Sequence, residues 1–247
     1  MRPLLVPYHL DEHLPGLDVP VDASTTIEQA LGDGTPWERM AQLYDAVAED
    51  VAATARHGTI PMVLSSDCTT SLGTVAGLQR AGTTPSIVWF DAHGDLQTLE
   101  TSHSGYLGGI PLRVLLGYRP ELISDTLGLH PIEQHRTVLV DGRDLDPPER
   151  EFLETSPVQQ RSVAELTSST LPDGPIYLHV DLDVLRKEDV PDLILPTDGG
   201  PSASVVDAAL AEVLASDRVV AVGLACTWHP QRGSAERVAR LCPSLFG

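Results

Sequence analysis

The sequence is poor in basic residues and has no long apolar run. Its 247 residues include 16 lysines and arginines against 35 aspartates and glutamates, which gives a formal net charge of −19. Such an acidic surface repels phosphate groups, so nucleic acid and anionic membranes are not expected partners. No apolar run approaches the roughly 20 residues that cross a bilayer, and the proline-interrupted N-terminus does not fit a secretion signal.

Cysteine is also scarce, and its distribution is informative. The chain has 3 cysteines, at Cys68, Cys226 and Cys242, which is an odd number at wide spacing. This pattern argues against a disulfide framework and predicts a protein of the reducing cytoplasm. No repeat, low-complexity segment or linker divides the chain, and 42% of its residues are hydrophobic. We therefore expect one domain over residues 1–247 with a substantial core.

Apolar segments rich in β-branched residues alternate with segments of helical periodicity along the chain. The clearest helix is predicted over 37–57, where apolar side chains recur on one face between Pro36 and Gly58. Predicted strands cover 4–7, 60–65, 86–90, 137–140, 176–180 and 219–224, and further predicted helices cover 71–80, 112–116, 149–153, 204–214 and 234–242. This alternation is typical of an α/β fold with a mostly parallel sheet.

Two acidic motifs directly follow two of the predicted strands. They supply four carboxylates and one imidazole, from Asp91, His93, Asp95, Asp181 and Asp183. Because the carboxyl ends of parallel strands form the edge where ligands bind, we expect these side chains to converge there. Carboxylates that lie close together repel one another unless a cation neutralises them. A single Asp-x-Asp is usually a solvated turn, but the two motifs together favour a site for a divalent ion such as Mn²⁺.

Together these motifs resemble those of the arginase, agmatinase and formiminoglutamase family, the ureohydrolases. The family's metal motifs are Gly-Gly-Asp-His-Ser, Asp-Ala-His-x-Asp and Asp-x-Asp, each at a strand end of a three-layer α/β/α sandwich with a mostly parallel sheet. This chain has the second and third motifs without substitution, and the first is present as Ser-Ser-Asp-Cys-Thr over 65–69. The resemblance implies the same fold and two Mn²⁺ ions.

The resemblance also implies a role for each metal ligand. Asp91 and Asp181 would bridge the two ions, and Asp95 would bind one ion and hydrogen-bond the bridging hydroxide. His93 and Asp183 would complete the coordination of the other ion. Two cations that share a water molecule lower its pKa enough to supply hydroxide near neutral pH.

Cys68 stands where the family has a histidine ligand, and three interpretations are open. As a thiolate ligand it would suit Mn²⁺ less well than imidazole does. As a small buried side chain it would be ordinary for a free cysteine, and as a nucleophile it lacks an adjacent base in the sequence. Its position in the motif favours the ligand interpretation. A subgroup that hydrolyses N-hydroxy-arginine is similar in having cysteine at this position.

Three further positions resemble the family's substrate-binding residues. Asp146 and Glu149 match the pair that holds the α-ammonium group of an amino acid, and Ser104 matches a serine that contacts its carboxylate. These matches favour a small amino-acid-derived substrate. The alternative is that Asp146 and Glu149 cap the helix that begins after Pro147, where acidic residues are ordinary.

Two family residues are missing. The proton-shuttle histidine falls at Gly108, and the nearby His103 is expected to be a surface residue. The glutamate that pairs with a guanidinium falls at Thr227 or Trp228, although Trp228 is equally interpreted as core packing. Without that carboxylate a guanidinium loses an anionic partner worth roughly a few kcal/mol when desolvated. Ordinary arginase activity is therefore not expected, and a less basic N-hydroxyguanidine suffers less.

The leading hypothesis is a dinuclear manganese hydrolase that cleaves an amidine-type C–N bond, with N-hydroxy-arginine hydrolysis to hydroxyurea and ornithine as the specific expectation. A second hypothesis is an impaired family member that binds a ligand or partner through a relic pocket. A third, a metal-dependent deacetylase, lacks that family's paired histidines. Two lesser expectations are a homo-oligomer, from the resemblance, and His179 either pointing the same way as Asp181 or lying in the core.

Overall fold

The computed structural model describes residues 1–246 and contains one large parallel sheet. The strands are β1 (Arg2–Leu5), β2 (Tyr8–His9), β3 (Glu12–His13), β4 (Thr25–Thr26), β5 (Pro61–Ser65), β6 (Ser86–Asp91), β7 (Thr137–Asp141), β8 (Gln159–Arg161), β9 (Ile176–Asp181) and β10 (Val219–Ala225). The helices are α1 (Pro36–Arg56), α2 (Ser71–Arg80), α3 (Pro111–Leu115), α4 (Ser124–Leu127), α5 (Pro147–Thr155), α6 (Ala203–Leu214) and α7 (Ser234–Leu241).

Eight strands form the main sheet in the order β4-β1-β5-β10-β9-β6-β7-β8. Every neighbouring pair in this sheet is parallel, while β2 and β3 form a separate antiparallel pair. The sheet takes strands from residue 2 to residue 225, and one domain over 1–247 stays a prediction. Of that range, Gly247 lies outside the described residues.

Helices cover both faces of the sheet, so the predicted three-layer α/β/α architecture is confirmed. Alternate side chains of β6 enter opposite cores: Ile87 and Trp89 pack in the core that includes α1 to α4. Val88 and Phe90 pack in the core that includes α6 and α7. Burial on both faces explains why the central strands are continuous apolar runs in the sequence.

The longest helix, α1, forms where the sequence predicts it. Thr35 and Glu38 make a capping box, in which the Glu38 carboxylate accepts from the Thr35 N–H at 2.7 Å and the Thr35 hydroxyl accepts from the Glu38 N–H. Such caps are each worth about 1 kcal/mol. A Cβ at Gly77 of α2 would overlap the carbonyl oxygen of Ala48, so glycine permits the close packing of α1 on α2.

Short elements are the part of the fold that the sequence did not predict. The β2–β3 hairpin and β4 lie between the first predicted strand and the helix predicted over 37–57, and β8 and α4 also lie between predicted elements. Each is too short, and β8 too polar, to show a hydrophobic period. Within residues 1–246, none of the helices has the length and apolarity needed to span a bilayer.

All three cysteines are buried and free. Burial raises the pKa of the Cys242 thiol to about 12 and that of the Cys226 thiol well above its ordinary value. Both are therefore unreactive thiols at neutral pH, in agreement with the expectation that the fold does not depend on disulfides.

Four central strands end side by side at the edge where the motifs lie. β5 leads into a 3₁₀ turn at Cys68–Thr70, β6 ends on Asp91, and β9 ends on Asp181, where a 3₁₀ turn at Leu182–Val184 begins. β10, between β5 and β9, ends at Ala225. The order of the strands thus brings all three motifs to the middle of one sheet edge.

Candidate metal centre

A cavity of about 320 Å³ opens at this edge of the sheet. Its lining includes all but one of the predicted metal ligands and all of the predicted substrate-binding residues, namely Cys68, His93, Asp95, Asp181, Asp183, Ser104, Asp146 and Glu149. The remaining ligand, Asp91, is 1% exposed and lies close to the lining, where its Oδ1 accepts from the His93 N–H at 2.7 Å. The volume suits a ligand of amino-acid size.

One group of potential ligands is centred on His93. Its Nδ1 lies 3.0 Å from Asp183 Oδ2 and 3.4 Å from Asp91 Oδ1. The backbone fixes these carboxylates, because Ala92 N–H donates to Asp183 Oδ1 at 3.2 Å and Asp183 N–H donates to Asp181 Oδ1 at 2.9 Å. One ligand atom from each of His93, Asp91 and Asp183 lies within 4.8 Å of the other two, which is the spacing of a potential metal site.

A second group is centred on Cys68 and shares Asp91 with the first. The Cys68 Sγ lies 3.1 Å from Asp181 Oδ2 and 4.0 Å from Asp91 Oδ2. A ring nitrogen of His179 completes this group, since it, the Cys68 sulfur and an Asp91 oxygen all lie within 4.8 Å of one another. The spacing of His179 from Asp181 on one strand was the only signal in the sequence for this placement, because residues two apart share a face.

The carboxylates of the site have too little positive charge near them to be neutralised. Burial raises the pKa of Asp95 and of Asp181 well above the ordinary value, and neighbouring carboxylates raise both further. Burial and the nearby Asp91 raise the pKa of Asp183 to about 6, against the opposing effect of His93. Burial alone would lower the pKa of His93, but hydrogen bonds to Asp183 and Asp91 outweigh it and raise that pKa to about 12. One imidazolium cannot neutralise four carboxylates.

Asp95 provides the test of whether these residues fit a cation. It is 4% exposed, its backbone is in the left-handed region at φ 53°, and within residues 1–246 its Oδ2 has no hydrogen-bond partner. A buried carboxylate oxygen without a partner costs roughly 1–3 kcal/mol or more. Oxygen donors with one or two imidazoles are the ligand type that Mn²⁺ accepts. The donor set and the unpartnered oxygen therefore both fit divalent cations at this site.

Asp146 and Glu149 lie at one wall of the cavity and also cap α5. Glu149 is 4% exposed; its Oε2 accepts from the Asp146 N–H at 2.9 Å and its Oε1 accepts from the Leu96 N–H at 3.0 Å. Gln97 Nε2 donates to the Asp146 Oδ2 at 2.6 Å. The capping interpretation thus describes Glu149 well, while the Asp146 carboxylate reaches the cavity. Ser104 is exposed at the mouth.

The place of the missing shuttle histidine is filled by a side chain that the sequence did not single out. A Cβ at Gly108 would overlap the ring of Tyr106. The Tyr106 hydroxyl lies 3.1 Å from His9 Nε2, and the two rings stack with centroids 5.8 Å apart. Burial, and then the nearby acids, raise the pKa of Tyr106, so it remains a phenol.

Thr227 lies at the place where the family's guanidinium-binding glutamate was expected. Its hydroxyl donates to Asp181 Oδ1 at 2.7 Å, and it lines the cavity. Trp228 is fully buried and donates from Nε1 to the Asp18 carbonyl at 3.2 Å, so its core interpretation holds. His229 is exposed and absent from the described lining of the cavity, whereas His103 lies at its mouth.

The chain is similar to proteins of one known family. A sequence model of the arginase family matches residues 10–245. The arginase of Bacillus subtilis (strain 168) is 33% identical over 179 residues, which cover 67% of this chain and only 58% of that protein. The arginase of Bacillus caldovelox is 27% identical over 248 residues, which cover 93% of this chain and 82% of that protein.

Solved structures show the same fold. The crystal structure of arginase from Bacillus cereus superposes with a TM-score of 0.83 at 24% identity and covers 100% of this chain and 98% of that chain. The formimidoylglutamase of Bacillus subtilis superposes with a TM-score of 0.71 at 15% identity, covering 98% of this chain and 84% of that chain. At these identities the likeness concerns the fold and not the substrate.

Proposed function

This chain belongs to the arginase family, whose members are hydrolases that act on C–N bonds in linear amidines, and we propose that it hydrolyses such a bond in a small amino-acid-derived substrate with the help of two Mn²⁺ ions. The specific proposal is the hydrolysis of N-hydroxy-arginine to hydroxyurea and ornithine. The observation that carries it is the convergence of the buried Asp95, Asp181 and Asp183, with the buried Asp91 beside them, on one cavity whose size suits an amino acid.

The ions would be held by the side chains that the family motifs supply, which are Cys68, Asp91, His93, Asp95, Asp181 and Asp183. Bound there, divalent cations would lower the pKa of a water molecule and would neutralise negative charge that develops during hydrolysis. The protein's own contribution is to hold the carboxylates close together and away from bulk water. Backbone N–H groups at Ala92 and Asp183 fix the orientation of two of them.

The polar residues around the mouth would orient the amino-acid end of the substrate. Asp146 presents a carboxylate for an α-ammonium group, and Ser104 presents a hydroxyl for an α-carboxylate. No arginine or lysine belongs to the described lining, so the cavity is strongly acidic before any cation binds. This balance favours a substrate whose polar end is an ammonium group.

The head group is argued from Thr227. A guanidinium buried at this end of the cavity would face a hydroxyl already donated to Asp181 instead of a free carboxylate. Burying a full positive charge without an ionic partner costs several kcal/mol, and a less basic N-hydroxyguanidine avoids most of that cost. We therefore expect N-hydroxy-arginine to be a better substrate than arginine.

The test is to measure metal content and turnover on the same preparation. Purified protein is stripped with chelator, reloaded with Mn²⁺ and supplied with L-arginine or N-hydroxy-L-arginine, and the release of ornithine is measured. We expect two Mn²⁺ per chain and a kcat/KM for N-hydroxy-arginine at least tenfold above that for arginine. The Asp181→Asn variant should lose both metal and turnover, and Asp33→Asn, a change at an exposed aspartate, should lose neither.

Less than one equivalent of Mn²⁺ after reloading would overturn the proposal. Full metal content without turnover of any amidine would instead favour the second candidate, a family member that binds a ligand without hydrolysing it. That candidate draws support from Gly108 and Thr227, which stand where the family has its proton-shuttle histidine and its guanidinium-binding glutamate. Binding of ornithine, followed by calorimetry, would then be its own test.

A further inference from the structure

His179 is a buried residue that neither the family motifs nor the mechanism above uses. It lies in β9, paired in register with Trp89 of β6, and its ring stacks on the indole at a centroid distance of 3.7 Å. It is 1% exposed and lies two residues before Asp181, so both side chains project from the same face of the strand. Its position places an imidazole at the inner end of the proposed metal site.

The two ring nitrogens of His179 have different surroundings. Nδ1 lies 3.0 Å from the Ser71 hydroxyl oxygen, and that oxygen also accepts a hydrogen bond of 2.8 Å from the Tyr177 hydroxyl. Nε2 has no hydrogen-bond partner within residues 1–246, although it is buried. Leaving a buried polar atom unpaired costs roughly 1–3 kcal/mol. We therefore expect the partner of this nitrogen to be a group that the described chain does not provide.

The unpaired nitrogen belongs to a residue already grouped with two other ligands. A ring nitrogen of His179, the Cys68 sulfur and an Asp91 oxygen lie within 4.8 Å of one another. The neighbouring group of Asp91, His93 and Asp183 also contains one imidazole, together with two carboxylates. Asp91 is common to both, which is the arrangement that two cations bridged by one carboxylate require.

We propose that His179 binds the cation on the Cys68 side of the pair through Nε2, and so supplies from β9 the imidazole that the first motif lacks. The inference rests on the proposed function, because it assigns one ligand of the metal pair named there. The proton of the neutral ring lies on Nδ1, which donates to the Ser71 oxygen, and Nε2 presents its lone pair to the cation. Ser71 is thus a positioning residue.

The chemistry of Cys68 supports this assignment. The Cys68 sulfur lies 3.1 Å from Asp181 Oδ2 and 4.0 Å from Asp91 Oδ2, so it stands among carboxylates that a cation would neutralise. Mn²⁺ prefers oxygen and imidazole donors to thiolate. The neutral imidazole of His179 beside Asp91 replaces the histidine ligand that the family has at the position of Cys68. It does so without adding a negative charge.

The test replaces the ring while keeping one of its nitrogen positions. In His179→Asn the amide sits where Nδ1 was, so it keeps the hydrogen bond to Ser71 and removes Nε2. We expect the Mn²⁺ content after equilibrium dialysis to fall from two ions per chain to one. His229→Asn, the same substitution at an exposed histidine, is the matched control and should retain both ions.

A spectroscopic readout separates ligation from packing. Pulsed electron paramagnetic resonance of the Mn²⁺-loaded protein detects nitrogen bound to the metal; we expect two imidazole nitrogens in the wild type and one in His179→Asn. Ser71→Ala should weaken binding of that one ion by about 10–100-fold, the usual effect of removing a group that orients a ligand. A second variant, His179→Gln, places an amide near Nε2 and should show the same loss of one imidazole signal.

The outcomes are distinct from those of the proposed function. Two Mn²⁺ ions of unchanged affinity in His179→Asn, or two imidazole nitrogen signals in His179→Gln if the asparagine variant does not fold, would overturn the inference and leave the proposed function standing. A wild-type protein that binds no Mn²⁺ would overturn both. The loss of one ion and one nitrogen signal, with the other ion retained, is the result that the geometry predicts.

Discussion

The metal-free protein should lose stability as the pH rises from about 4 to about 6.5, and Mn²⁺ should restore that stability. The reasoning rests on Asp183, whose pKa rises from 3.8 to about 6 in the folded protein because it is buried beside Asp91. A carboxyl with a raised pKa stabilises the fold fully below its unfolded pKa, and that contribution is lost as the pH passes the folded pKa. The difference from 3.8 to about 6 corresponds to about 3 kcal/mol.

The neighbouring groups do not reverse this sign. Asp95 and Asp181 also have raised pKa values, so they add to the loss. The pKa of Asp91 is lowered, so its contribution appears below pH 4, and the raised pKa of His93 acts only above pH 6.5. For a chain of this size, about 3 kcal/mol corresponds to a fall in Tm of about 6–12 °C across the window.

The assay is differential scanning fluorimetry of chelator-stripped protein between pH 4 and pH 7, with and without Mn²⁺. A cation replaces the proton that the carboxylates lose, so the gap between the two Tm values should widen as the pH rises. Metal-free Asp183→Asn should lack about 3 kcal/mol of the pH dependence, whereas the exposed-site control Asp33→Asn should keep it. Superimposable profiles for wild type and Asp183→Asn, or a Tm at pH 7 that Mn²⁺ leaves unchanged, would refute the reasoning.

Three further predictions concern packing and capping. Trp228→Ala should reduce the free energy of unfolding in urea by about 3–5 kcal/mol, because the indole is fully buried; a change below 1 kcal/mol would contradict the core assignment. Glu149→Gln should cost about 1–3 kcal/mol and speed amide exchange at Leu96, since an ionised acceptor is lost; unchanged exchange would argue against it. Gly108→His should destabilise by about 1–3 kcal/mol through overlap with Tyr106, and adding Tyr106→Ala should recover most of that loss; an additive double mutant would show that the two positions do not meet.

Hydrophobic pattern was sufficient to predict the layers of the fold. The strands β6 and β9 are short apolar runs that end on acidic motifs, and α1 has both a regular apolar face and a proline in its first turn. Elements such as β8 and α4 could not be predicted in the same way. They are 3 and 4 residues long and show no period of their own; β8 pairs with β7, and α4 contacts the 3₁₀ turn at Pro120–Leu122.

The candidate site could be predicted only where its residues are close in sequence. Asp91 and Asp181 were predictable because each ends a strand within a local motif. Tyr106 gave no signal in the sequence, and for His179 the spacing from Asp181 left its direction open, because the contacts of both depend on neighbours brought close by the fold. Only the parallel register of β6 and β9 reveals that His179 stacks on Trp89 and lies near Asp91 and Cys68.

The substitutions in this chain are consistent with one another when the charge of the site is considered. Four carboxylates carry four negative charges when ionised, which two divalent cations balance. Cys68 stands in place of a neutral imidazole, and as a thiolate it would add a fifth negative charge. A neutral imidazole from His179 leaves the balance intact, and Thr227 adds no carboxylate to hold a cationic head group. Because Thr227 offers a hydroxyl already donated to Asp181 in place of a free carboxylate, this end of the cavity favours the less basic N-hydroxyguanidine over a guanidinium as substrate.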